Sequence, residues 1–111
     1  MSNYYESDDL KKFADIGQHA KGLADDFFKY YRNVTSTDGA LSKREKALIA
    51  LAVSHAQKCP YCIDAYTTQC LETGSNPEQM MEAVHVAAVM QAGITLVHSV
   101  QMQNHLRKMI L

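Results

Sequence analysis

The two prolines of this 111-residue chain, Pro60 and Pro77, both stand where a helix can begin, and their placement constrains the fold more than any other feature. Inside a helix a proline removes a hydrogen bond, but at the first helical position its missing amide would be unpaired anyway. Cys59-Pro60 therefore ends one helix near Gln57 or Lys58 and starts another, which runs to about Glu72 and stops at Gly74. Ser75-Asn76-Pro77-Glu78 repeats the device and opens a helix predicted to reach about Ala92, with Met81, Val84, Ala88 and Gln91 on one stripe. Upstream, Ser42-Lys43-Arg44-Glu45 spells a capping box, and the nearly continuous apolar positions from Leu48 to Val53 make the helix behind it central. Gly93 is expected to break the pattern before a last helix from about Ile94 towards Met109. At the other end, Asp8 or Asp9 can cap a short helix carrying Leu10, Phe13 and Ile16, and a second follows around Leu23 to Tyr31. Asn33 to Ala40 reads as the clearest loop. No useful length of β-branched alternation occurs, so the expectation is a single all-α domain over residues 1–111, a bundle of five or six helices.

Charge narrows the function classes. Lys plus Arg is 11 and Asp plus Glu is 12, a net charge of -1, which gives no electrostatic footprint for nucleic acid or an anionic membrane. No uninterrupted apolar run reaches the roughly 18 residues of a membrane span, and MSNYYESDDLKK lacks the pattern of an export signal. A cytoplasmic protein without membrane or nucleic-acid partners is the expectation. The aromatic group Phe27, Phe28, Tyr30 and Tyr31, together with six methionines, exceeds what one small core hides, which predicts a homo-oligomer.

The chemistry-bearing residues centre on Cys59-Pro60-Tyr61-Cys62. This spacing lets two sulfurs meet across the first turn of a helix, where free amides and the macrodipole stabilise a thiolate. Such a pair can reduce a peroxide or a disulfide and close on itself. Half of a zinc site is the competing reading, but the chain has neither a second CxxC nor a His-x3-His partner. No cofactor or metal is expected. His55, four residues before Cys59, is a candidate base for the thiol or a histidine bonded to its own helix. Tyr66, four after Cys62, shares its helix face, as a donor to a thiolate or as core. Cys70 continues that stripe and reads as a small buried hydrophobe. His85, His98 and His105 show no metal-ligand spacing.

The stretch from Leu41 to Val53 leading into Cys59-Pro60-Tyr61-Cys62 resembles the carboxymuconolactone decarboxylase-like family, and within it the alkylhydroperoxidase D-like branch. The resemblance is strongest over residues 41–93. The ends YYESDDLKKF and HSVQMQNHL are similar to a clade described as arsenosugar biosynthesis-associated peroxidase-like proteins. The resemblance implies an all-helical fold assembled as a homotrimer or homohexamer. It also implies a CxxC dithiol that cycles against a hydroperoxide or disulfide and is regenerated by a thiol reductant. Peroxidase members carry a Glu twelve residues before the first cysteine and a His four after the second; here Ala47 and Tyr66 stand there, with Glu45 turned to another face. The candidate catalytic set is Cys59, Cys62, His55 and Tyr66. Helix-end electrostatics favours Cys59 as the attacking sulfur, whereas the family's mechanism favours Cys62. A different class remains open: a dithiol that binds a soft ligand such as trivalent arsenic or a metal ion. The decarboxylase activity of the family finds no basic carboxylate-binding group here.

Overall fold

The computed structural model describes residues 5–110; residues 1–4, part of the amino-terminal readings above, and Leu111 lie outside it. A 3-10 helix at Ser7–His19 is followed by α1 (Lys21–Thr35), α2 (Lys43–Ala56), α3 (Pro60–Glu72), α4 (Pro77–Val97) and α5 (Ser99–Ile110). No strand occurs among the described residues.

The three interior helix starts follow the local chemistry. The Glu45 amide donates to Ser42 Oγ at 3.1 Å, and the Ser42 amide donates to the Glu45 carboxylate at 2.9 Å. Asn76 and Gln79 exchange the same pair of bonds at 2.8 and 2.9 Å. At the head of α3 the capping acceptor is a sulfur, with the Cys62 amide 3.4 Å from Cys59 Sγ. The turn between α2 and α3 is carried by Lys58 at φ 54°, a left-handed conformation that an L side chain adopts at a cost of about 1 kcal/mol. Across it the Cys59 amide donates to the Ser54 carbonyl at 3.0 Å. Gly74, at φ 96°, closes α3 where glycine alone is unstrained.

Gly93 does not break the chain: α4 runs straight through it to Val97. A glycine in a helix interior costs only about 1 kcal/mol against alanine, and no proline or cap stands beside this one. The helix ends instead where side chains take up its carbonyls. His98 Nδ1 lies 2.6 Å from the Ile94 carbonyl, and the Ser99 hydroxyl donates to that of Leu96 at 2.5 Å.

The first helix is a 3-10 helix, capped from Glu6 rather than from Asp8 or Asp9; Asp9, in its first turn, accepts the Glu6 amide at 3.1 Å. In a three-residue turn, positions i and i+3 eclipse. The spacing of Leu10, Phe13 and Ile16 therefore makes one ridge, and Lys12 reaches Asp9 at 2.8 Å along a neighbouring row. Phe13 packs edge-on against Phe28 (5.0 Å between centroids) and Tyr31 (6.3 Å), so the aromatic group of α1 partly serves the chain's own packing; Tyr30 stays exposed. Gly17 allows the close approach, since a Cβ there would lie 2.7 Å from that of Ala24.

Helix α2 lies between α3 and α4. The buried hydrophobic residues are Ala47 and Leu51 of α2 with Tyr66 and Cys70 of α3, and Tyr31, Leu48, Cys62 and Met80 pack against them. Nothing in α4 or α5 is buried. The radius of gyration is 19.0 Å, against about 13 Å for a compact chain of this size, and the longest dimension is 60 Å. Over Pro77–Ile110 the chain is long and apolar enough, by length and composition, to cross a membrane. Counting uninterrupted apolar residues missed this, because scattered polar residues such as His85 and Gln91 punctuate an otherwise apolar helix.

Candidate functional site

The two sulfurs of Cys59 and Cys62 lie 2.9 Å apart, both as free thiols. Their positions in the helix make them unequal. Cys59 is the cap residue of α3, and its thiol is pulled below its ordinary value, first by the Cys62 thiol and then by the backbone amides of Cys62 and Tyr61. Cys62 sits one turn inside, where burial and the neighbouring Cys59 push it up to about 11; the Ser54 hydroxyl pulls weakly the other way. One sulfur is therefore prepared to ionise and the other to stay a thiol that donates to it. Ser54 escaped the sequence reading because nothing in its surroundings marks a serine on an apolar helix as anything but filler; it is buried, and its hydroxyl donates to the Ala50 carbonyl at 2.5 Å.

The pair opens into a cavity of about 600 Å³. Its floor is α3 with Cys59, Cys62 and Tyr66, one side is Tyr31 of α1, and the facing wall is the ridge of Leu10, Phe13 and Ile16. The lining is mostly apolar, with Lys12 and Asp9 as its charged members.

Tyr66 is buried, in the cluster that contains Ala47. Its hydroxyl is hydrogen-bonded to that of Tyr31, 35 residues earlier in the sequence. Burial first, then the bond to Tyr66 and negative charge on Tyr66 or Cys62, hold the Tyr31 phenol well above its usual range. The sequence puts Tyr31 only in an aromatic group of α1, because its partnership with Tyr66 spans two helices and leaves no mark in local spacing. Ala47 and Tyr66, which stand at the two positions where the resemblance leads one to expect Glu and His, belong to one buried cluster.

His55 stands apart from this group. Its Nδ1 lies 2.8 Å from the Leu51 carbonyl, which fixes the proton on that nitrogen and leaves only Nε2 to accept one. It is not among the residues lining the cavity. Glu45 is spent on the cap of α2. Cys70 is fully buried in the same cluster as Tyr66, and burial raises its thiol. His85, His98 and His105 are exposed. Among the described residues no three His, Cys, Asp or Glu side chains come together as metal ligands, which leaves the two thiols as the group able to share a soft centre.

A strand-free helical fold that presents a paired thiol at the head of one helix, under a capped helix–turn–helix, defines an all-α dithiol protein. The comparisons make this specific: the sequence pattern of the Carboxymuconolactone decarboxylase family matches residues 22–103, and the chain belongs to that family. It is 42% identical over 91 residues to "Uncharacterized protein 4 in cox locus" of Paracoccus denitrificans, covering 80% of this chain and 82% of that one. The crystal structure of a Methanobacterium thermoautotrophicum protein is similar at a TM-score of 0.69 with 30% identity, covering 77% of this chain and 94% of that one. A carboxymuconolactone decarboxylase family protein from Legionella pneumophila is similar at 0.68 with 28% identity, covering 84% and 82%. These likenesses define the family and say nothing of the arsenosugar-associated branch.

Proposed function

We propose that this chain is a thiol-dependent, peroxidase-type oxidoreductase that works through Cys59 and Cys62. The observation that carries the reading is the asymmetric pair itself: two reduced sulfurs 2.9 Å apart, one favoured as thiolate at the cap of α3 and one held as thiol. In this reading the Cys59 thiolate attacks the outer oxygen of a hydroperoxide and becomes a sulfenic acid, releasing the other oxygen as an alcohol. The Cys62 thiol then displaces the sulfenic oxygen as water, leaving the Cys59–Cys62 disulfide. An external thiol reductant returns two electrons and two protons. The apolar cavity favours a substrate with an organic body.

The test is a thiol count and mass after one equivalent of cumene hydroperoxide, followed by turnover with dithiothreitol. Loss of two thiols per chain and repeated turnover are expected. A chain that keeps its thiols, or that binds one equivalent of trivalent arsenic tightly without any turnover of peroxide, overturns the reading.

The same proposal includes self-association as a homotrimer or homohexamer through α4 and α5. Val86, Val89, Met90 and Leu96 are all more than half exposed in the single chain, and the extended shape leaves them no internal cover. Light scattering in detergent-free buffer is expected to give a mass several times 12.4 kDa; a monomer at micromolar concentration, or solubility only with detergent or lipid, overturns it.

A further inference from the structure

Thiolate attack on a hydroperoxide leaves an alkoxide or hydroxide, and an anion that basic is a poor leaving group unless a proton reaches it as the O–O bond breaks. In this chain the family's expected carboxylate–imidazole pair is absent, with Ala47 and Tyr66 in its place, and His55 lies outside the cavity lining. What does stand beside the dithiol is a pair of bonded phenols, Tyr31 from α1 and Tyr66 from α3, both lining the same cavity as Cys59 and Cys62. When one phenol donates to the other, the acceptor keeps its own proton, and that O–H has no partner within the pair. Resting on the dithiol reading above, we propose that Tyr31 and Tyr66 act as one proton-donating unit that protonates the leaving oxygen of the hydroperoxide while Cys59 attacks.

The balance is complete without another group. The Cys59 thiol releases its proton to solvent as the thiolate forms. The sulfur–oxygen bond forms as the O–O bond breaks, the peroxide is reduced by two electrons and the sulfur is oxidised by two. The departing oxygen takes the free phenol proton, and the resulting phenolate, stabilised by the hydrogen bond between Tyr31 and Tyr66, is reprotonated from solvent. A phenol suits this task because it remains protonated throughout the range in which Cys59 ionises, so acid and nucleophile are ready at the same pH. An imidazole donor would lose its proton near pH 6.5 and could not donate above it.

The experiment compares three electrophiles in wild type, Tyr31→Phe and Tyr66→Phe. Iodoacetamide reports thiolate formation alone. Peracetic acid oxidises the same sulfur but expels a weakly basic carboxylate that needs no proton. Cumene hydroperoxide expels a basic alkoxide that does. The expected result is a loss of about 100-fold with cumene hydroperoxide in either variant, and rates within about threefold of wild type with the other two reagents. Tyr66→His is expected to introduce a falling limb near pH 6.5 in the hydroperoxide profile, where wild type only rises. An unchanged hydroperoxide rate in the Phe variants overturns the proposal, and so does an equal loss with all three reagents. Failure of wild type to react with both oxidants, despite alkylation, counts instead against the dithiol reading. If Tyr66→Phe does not fold, Tyr31→Phe decides alone, since Tyr31 is only half-buried.

Discussion

Helices α2 and α4 are both rich in alanine and branched or flexible apolar residues, but α2 buries Ala47, Leu51 and Ser54 whereas α4 buries none of its 21 residues. Composition alone would predict the reverse, since α2 opens on the charged run Lys43 to Lys46 and α4 is the more apolar; neighbours decide. Helix α2 has α3 on one side and α4 on the other, so most of its apolar surface is removed from water within one chain. Helix α4 meets α2 along one stripe, marked by Gln91 donating to the Ala56 carbonyl at 3.4 Å, and then continues past the body with α5. An apolar helix states how much surface must be covered and leaves open what covers it.

The largest expected difference between the two regions is in stability. Leu51→Ala should cost about 2–5 kcal/mol, because Leu51 is 1% exposed and packed within the buried cluster. Denaturant titration should show that loss at every protein concentration. Leu96→Ala, at a residue 68% exposed in the chain, should show a loss that grows as the protein is diluted if the proposed assembly covers it with other copies. A loss independent of concentration at both positions would erase the distinction.

The next effect is on reactivity, which belongs entirely to the packed half. Cys62→Ala removes the foremost group favouring the Cys59 thiolate, so the midpoint of its alkylation should move up towards an ordinary thiol's value of about 8.5. Removing a donor to the thiolate favours the protonated form, so alkylation at neutral pH slows. Met90→Ala, out on α4, should leave the same pH profile where it was.

Two glycines give the smallest contrast. Gly74→Ala should destabilise by about 1 kcal/mol, because its φ of 96° is strained for any side chain even though a Cβ there meets nothing. Gly93→Ala should stabilise by up to about 1 kcal/mol, because its helical backbone suits alanine and the space is open. Thermal unfolding of both variants reads the opposite signs directly; a destabilised Gly93→Ala would show that another copy packs closely against that point of α4.

What could be read from the sequence was whatever neighbouring residues determine together. The starts of α2, α3 and α4 rest on Ser42, Pro60 and Pro77 with partners no more than three residues away, and the structure places them there. The end of α4 depends on His98 and Ser99 outcompeting a helix continuation, a contest no single residue announces, so Gly93 took the credit in a reading by residue type. The site divides the same way. Cys59 and Cys62 follow from a four-residue spacing, whereas the Tyr31–Tyr66 bond depends on how α1 crosses α3. Their inequality as acids follows from a capping position that Pro60 alone had already located.

The 3-10 helix that walls the cavity lies wholly ahead of residue 22, where the family pattern begins. Runs of this geometry beyond three or four residues are uncommon, and this one is secured by exposed ion pairs and a few ring contacts. Width and chemistry of the pocket therefore come from different parts of the chain: the sulfurs and phenols lie within residues 22–103, and the ridge of Leu10, Phe13 and Ile16 lies ahead of them. Substitution within that ridge would change the width of the cavity while Cys59, Cys62, Tyr31 and Tyr66 stayed in place.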